Sequence, residues 1–129
     1  MIGDAAAVRG GSAGPADPGT IVLWRAVDLD VSAVIGQRGT AAVLQRAMVI
    51  TRRTHGWMSA SPDDVDFDAC VRIVNAAFAS QAPEERVSGQ RALEAAFHDL
   101  LASLVGATLA AQLLRAARNE RQARIEAVP

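Results

Sequence analysis

The sequence contains no lysine and no tyrosine, and it has only one cysteine and two histidines. Without lysine, the chain cannot form a Schiff base or a Walker A phosphate-binding loop. One cysteine and two histidines are too few for an ordinary zinc or iron–sulfur site, and a single cysteine cannot form an internal disulfide. We therefore expect no metal and no cofactor, and nothing in the sequence requires an oxidising compartment.

Charge is also scarce and nearly balanced. Charged residues make up 21% of the chain, and the formal net charge is −1. A surface that binds nucleic acid or an anionic membrane usually carries a positive excess, so we expect neither partner. The longest charge-free run, residues 100–114, is shorter than the roughly 20 residues that span a bilayer. No targeting segment is recognisable, and we predict a cytoplasmic protein.

Apolar residues are abundant for a chain of this size. They make up 50% of 129 residues, and the mean hydropathy is +0.16. A single small domain with this much apolar surface is expected to cover part of it with another subunit or protein. We therefore predict a homodimer, paired through the first helix or the long C-terminal helices.

From residue 20 onward, apolar residues recur every three or four positions, which is typical of amphipathic helices. The predicted helices cover about residues 20–35, 40–54, 62–79 and 83–124. Gly36 is predicted to end the first helix within a break at residues 36–39, and the sequence leaves open whether this break is a loop or a kink. Gly106 is predicted either to kink the last helix or to let a neighbour approach closely. Ser61 and Pro62 are predicted to begin the third helix as N-cap and first helical residue.

These patterns predict an all-α bundle of four to five helices, and no segment alternates like a strand. The single domain is expected to cover residues 20–124. The alanine- and glycine-rich residues 1–19 are expected to form a disordered tail, and residues 125–129 a frayed C-terminus.

The chain shows an internal similarity. Residues 34–47 match the apolar and glycine pattern of residues 104–117, 70 positions later. The match suggests two helical hairpins of like construction around a pseudo-twofold axis. A chain rich in alanine, leucine and valine also produces such matches by coincidence, and the sequence leaves both explanations open.

His98 and Asp99 form the first candidate site. An adjacent carboxylate can polarise an imidazole for phosphoryl transfer, although a boundary histidine bonded to a neighbour is the simpler interpretation. The pair precedes a leucine-rich segment that contains Gln112-Leu113 and Ala117-Arg118. This stretch resembles the dimerisation and phosphotransfer helix of histidine kinases. The resemblance implies that His98 would accept a phosphoryl group, with Asp99 assisting.

Two further groups of residues are candidate binding sites. Arg52, Arg53, His55 and Trp57 are predicted to close the second helix, and they could form a small pocket that grips an anion. The alternative is a helix cap with a tryptophan covering the end of the bundle.

The second group is a series of arginines near the C-terminus. Arg115, Arg118 and Arg121, with Arg124, recur every three residues. They are expected to be solvated, and their functional use would be contact with an acidic protein partner.

Apolar and glycine positions across residues 20–118 form a wider pattern, which begins with Val34-Ile35-Gly36-x-x-Gly39 and Leu44-x-Arg46-Ala47. The pattern resembles a loose set of small, uncharacterised, all-helical proteobacterial proteins, and the resemblance implies a fold rather than an activity.

The sequence therefore predicts a non-enzymatic regulatory or adaptor domain in bacterial signalling. It would act through helix–helix contacts with a protein partner, such as a signalling kinase or regulator. Two alternatives remain open. The first is a histidine phosphotransfer module that uses His98 and Asp99. The second is a bundle that senses a small molecule near Trp57.

Overall fold

The computed structural model describes residues 18–59 and 66–127, which form helices and short connections without a strand. The helices are α1 (Pro18–Arg52), α2 (Phe67–Ala79), α3 (Pro83–Val105) and α4 (Ala107–Ala127). The predicted all-α bundle is confirmed. The predicted N-terminal tail lies outside the described residues, except that α1 begins at Pro18. At the other end, α4 continues to Ala127, within the segment predicted to fray.

Helix α1 is bent sharply at Gly36, whose φ of 83° and ψ of 161° are open essentially to glycine alone. The Ser32 and Thr40 hydroxyl oxygens lie 2.9 Å apart. In a straight helix these positions would be separated by about 12 Å along the axis. The two arms, residues 18–35 and 37–52, therefore form a hairpin, which we call the first hairpin. Of the two possibilities left open for the break at residues 36–39, the structure has the kink rather than the loop, because helix resumes directly after Gly36.

Helices α3 and α4 form a second hairpin around Gly106, which has φ 94° and ψ 152°. Glu94 and Arg118 lie equally far from this glycine on the two helices, and their charged groups are 3.4 Å apart. The two helices therefore run back alongside each other. A Cβ atom at Gly106 would meet nothing within 4 Å, so the glycine is required by the backbone rather than by a close neighbour.

The two hairpins share their pattern of burial as well as their bends. Each residue from 31 to 40 is buried, half-buried or exposed in the same way as the residue 70 positions later. The residues that match in sequence therefore occupy equivalent positions in two hairpins of like construction, and the pseudo-twofold axis stays a prediction.

The bases of the two hairpins meet. His55, just beyond the last turn of α1, lies 2.8 Å from the Ser88 hydroxyl near the start of α3. Trp57 donates to Glu85 at 3.0 Å. Closer to the bends, Trp24 contacts Phe97, edge to face, at a ring separation of 5.5 Å. Contacts at these two levels place both glycine bends at the same end of the bundle.

Helix α2 lies against the first hairpin. Its N-cap is Asp66, whose carboxylate accepts a hydrogen bond from the Ala69 backbone N–H at 2.7 Å. The prediction that this helix begins at Pro62 with Ser61 as its cap is wrong, because Asp66 is extended and satisfies the first turn itself. Ser61 and Pro62 lie outside the described residues. The face of α2 that packs on the bundle consists of buried residues at helical spacing: Phe67, Cys70, Val71, Val74 and Phe78.

Candidate functional site

His98 and Asp99 lie together on α3, as the sequence requires. The His98 ring is 38% exposed and the Asp99 side chain 82% exposed. The Nδ1 atom of His98 lies 3.6 Å from an Asp99 carboxylate oxygen, which is an ion-pair separation and too long for a hydrogen bond. Solvent therefore reaches the imidazole while a carboxylate stands beside Nδ1, an arrangement that can assist reaction at Nε2.

His55 and Trp57 connect the base of the first hairpin to α3. The Nδ1 atom of His55 lies 2.8 Å from the Thr54 hydroxyl, and its Nε2 atom lies 2.8 Å from the Ser88 hydroxyl. Both ring nitrogens are therefore engaged in polar contacts within the protein. The Trp57 indole donates to the Glu85 carboxylate, which gives this position an acidic neighbour.

The Trp57 ring packs closely against the backbone of α3 at Gly89. Its ring contacts Phe78 at a separation of 5.4 Å, edge to face. A Cβ atom at Gly89 would come within 2.5 Å of the Trp57 ring, so only glycine fits there. Arg52 and Arg53 are exposed beyond this cluster. These contacts support the interpretation of His55 and Trp57 as a structural closure of the bundle base, and the predicted anion pocket stays a prediction.

The C-terminal arginines are not equivalent to one another. Arg118 is 56% exposed and pairs with Glu94 across the second hairpin. Arg115 is exposed and Arg121 is half-buried. An exposed ion pair such as Arg118–Glu94 contributes about 0–1 kcal/mol. The prediction that this series binds a partner remains a prediction.

A cavity lies beside Trp24, which the sequence analysis did not treat as a site residue. The cavity has an empty volume of about 230 Å³ that includes space open to solvent, and its walls are mostly apolar, with Glu94 and Arg118 completing them. Trp24 is 1% exposed, and its indole N–H has no hydrogen-bond partner among the described residues. Periodicity identifies Trp24 as a core residue but gives no signal that its polar atom is unpaired.

The outer face of the first hairpin exposes Leu29, which is 73% accessible. Ala33 lies one turn further along the same face and is also exposed. The equivalent positions of the second hairpin, 70 residues later, carry Asp99 and Ser103, which are likewise exposed. The fold therefore accepts polar residues at this position, and nothing in the bundle requires an apolar side chain at Leu29.

No family model, curated protein or solved structure matches the chain. Among the described residues, no helix combines the length and the apolar character needed to cross a membrane. The same residues contain no cluster of histidine, cysteine and carboxylate side chains that could hold a metal ion.

Proposed function

We propose that the protein is a non-enzymatic regulatory or adaptor domain of the bacterial cytoplasm, which binds a signalling protein through helix–helix contacts. The observation that supports this proposal most directly is the exposure of Leu29 on the outer face of the first hairpin. Its equivalent in the second hairpin is Asp99, so the fold itself does not account for an apolar residue at this place. An exposed apolar helix face is a common site of protein association.

A second exposed apolar side chain lies nearer the bend: Val34 is 47% exposed, and its equivalent, Leu104, is 63% exposed at the same end of the bundle. A partner helix laid along the outer face would cover Leu29 and Ala33 together, because these positions are four residues apart on one side of the helix. Full burial of a leucine side chain contributes about 1.5–3 kcal/mol, so Leu29 is expected to contribute strongly to such a contact.

The test is quantitative co-purification from the cells that produce the protein, comparing wild type with Leu29→Asp. The control variant is Val87→Asp. Val87, like Leu29, is an exposed apolar residue (53%), but it lies near the start of α3. We expect a protein partner that Leu29→Asp loses and Val87→Asp retains. Sedimentation analysis of the same three proteins tests the homodimer, which Leu29→Asp should convert to monomer. The proposal is overturned if no association depends on Leu29, or if both variants lose it equally.

A second candidate function is acceptance of a phosphoryl group by His98, which is favoured by its half-exposed ring beside Asp99. Phosphoramidate would transfer its phosphoryl group to the Nε2 atom of His98 and release ammonia. We expect an acid-labile, base-stable label on wild type and on His55→Gln, because both ring nitrogens of His55 are engaged in contacts. No label should appear on His98→Gln. An unlabelled wild type, or a labelled His98→Gln, would remove this candidate.

A further inference from the structure

The second arm of α1 carries a basic face. Residues 37–53 contain four arginines and no acidic residue, although the net charge of the chain is −1. At 100° per residue, three of the arginines and two small apolar residues fall within about 120° of the helix circumference, and Arg53 directly follows the last helical residue. All six side chains are exposed. We call this surface the arginine face, and it consists of Arg38, Ala42, Arg46, Val49, Arg52 and Arg53.

The charges of the arginine face have no partner among the residues that the structure describes. None of its four arginines forms an ion pair or a side-chain hydrogen bond with another described residue. The helix dipole favours Arg52 and Arg53, because they lie at the C-terminal end of the arm. The same dipole disfavours Arg38, which lies in the first turn after Gly36. The intrinsic stability of the helix therefore does not explain the whole set.

The second hairpin has an equivalent exposed surface on α4 that carries no charge. The equivalent positions of α4 are all exposed, and all six are uncharged. These residues are Thr108, Gln112, Ala116, Asn119, Gln122 and Ala123. Since the two hairpins have the same bend, and all six positions are exposed in both, the fold accepts a neutral face at this place. The positive charge is a property of the first hairpin alone.

The spacing of the face fits another helix. Ala42 and Val49 are seven residues apart, which places them on one line along the arm, and Val49 is 41% exposed. Arginines lie on both sides of this line. From Arg38 to Arg52 the face is about 21 Å long. A helix of similar length can lay apolar side chains on Ala42 and Val49 and carboxylates beside the arginines.

We propose that the arginine face binds an acidic amphipathic helix of a protein partner, whose aspartates and glutamates pair with Arg38, Arg46, Arg52 and Arg53. Nucleic acid fits less well, because the face has no aromatic side chain on which a base could stack. The rest of the chain is also net acidic, which repels a long polyanion. The proposal does not depend on the outer face formed by Leu29 and Ala33, the Leu29 face, which lies on the other arm of the hairpin.

The test measures binding of a synthetic 21-residue amphipathic helix by fluorescence anisotropy. The peptide has leucines at heptad spacing and glutamates on both sides of them, and a matched peptide carries lysine in place of every glutamate. A DNA duplex of similar length is the third probe. We expect the acidic peptide to bind most tightly of the three, and to bind more weakly as salt is raised, because surface ion pairs are screened.

The decisive variant takes its residues from the second hairpin: Arg38→Thr, Arg46→Ala, Arg52→Gln and Arg53→Ala combined. Each replacement occupies the equivalent exposed position of α4, so the fold should persist, as circular dichroism will verify. Loss of four exposed ion pairs is expected to weaken binding of the acidic peptide about 30-fold. Leu29→Asp should bind this peptide like wild type, which separates the arginine face from the Leu29 face.

Three outcomes would overturn the proposal. The lysine peptide could bind as tightly as the acidic one, which would mean that charge does not select the partner. The combined variant could retain full affinity, which would place the peptide elsewhere on the bundle. The DNA duplex could bind more tightly than the acidic peptide, which would make the face a nucleic-acid surface.

Discussion

The two hairpins of this bundle have the same glycine bend and the same pattern of burial around it, but their bends differ in the side-chain hydrogen bonds beside the glycine. At the first bend, the Thr40 hydroxyl donates to the Gly36 carbonyl oxygen at 2.8 Å. The Ser32 hydroxyl lies 2.9 Å from both the Thr40 hydroxyl and the Asp28 carboxylate. At the second bend, the residues equivalent to Ser32 and Thr40 are Ala102 and Ala110, which cannot form these bonds.

The comparison separates what the fold requires from what it permits. The features found in both hairpins are a glycine at the bend and the same pattern of burial over residues 31–40 and 101–110, so these are the requirements of the fold. The features found in one hairpin only include Leu29 and the arginine face, and both are exposed. Because the other hairpin folds without them, selection for stability does not account for their presence.

The largest effect is expected from alanine at either bend. Gly36→Ala and Gly106→Ala should each lower the free energy of unfolding by about 2–3 kcal/mol, because their dihedral angles are open essentially to glycine alone. Alanine also favours a continuous helix, which would open the hairpin and allow arms to be exchanged with a second copy. Urea unfolding measures the first effect, and analytical ultracentrifugation measures the second.

The two glycine variants should differ in degree. Gly106→Ala is expected to form more of the exchanged dimer, because the residues equivalent to Ser32 and Thr40 are alanines and cannot link its two arms beside the glycine. Gly56→Ala is the control, since a Cβ atom there would meet nothing within 4 Å and its φ is not positive. Its stability should stay within about 0.5 kcal/mol of wild type. A loss below 1 kcal/mol for both bend variants would contradict the account of the hairpins.

A smaller effect is expected at the hydroxyl pair of the first bend. Thr40 is fully buried, and Thr40→Val keeps its shape while removing its hydrogen bonds. The Gly36 carbonyl oxygen and the Ser32 hydroxyl then each lose a partner, which should cost about 1–2 kcal/mol in urea unfolding. Thr108→Val, near the second bend and exposed, should cost less than about 0.5 kcal/mol. Equal losses would mean that the hydroxyl pair does not hold the first bend.

Trp24→Phe is expected to change stability by less than about 1 kcal/mol, even though the ring is buried between the hairpins. Removal of an unpaired buried N–H recovers a desolvation cost of about 1–3 kcal/mol, which offsets the lost contacts of the larger ring. Phe97→Ala, which removes only apolar contacts, should cost about 3–5 kcal/mol. Thermal unfolding of both variants provides the comparison. A cost above about 2 kcal/mol for Trp24→Phe would show that its N–H is satisfied.

The smallest effect is expected on the outer faces. Leu29→Asp and the reciprocal Asp99→Leu exchange residues between equivalent exposed positions, so each should change stability by less than about 0.5 kcal/mol. Thermal unfolding of both variants measures this directly. A large loss for Leu29→Asp would mean that Leu29 serves the fold, and the argument for a binding role would fail.

Local patterns in the sequence predicted the helical segments, the two glycine bends and the likeness of the hairpins, because periodicity and glycine act on neighbouring residues. The start of α2 was predicted wrongly, because Ser61-Pro62 and Asp66 are both good helix-start signals in the sequence and the local pattern does not decide between them. The contact between His55 and Ser88 joins distant parts of the chain, so spacing gave no signal of it. Helical periodicity alone places the arginines of residues 37–53 on one face, but a net charge near zero gives no indication that the charges are unevenly distributed along the chain.

The central claim is that the first hairpin carries binding surfaces that the second lacks. It is tested most directly by photo-crosslinking in the producing cells, with a photoreactive residue at position 29 or 46 and, for comparison, at the equivalent positions 99 or 116. All four positions are exposed, so the residue should be tolerated at each. We predict specific protein adducts from positions 29 and 46 and only background from positions 99 and 116. Equal yields from the two hairpins would contradict the account.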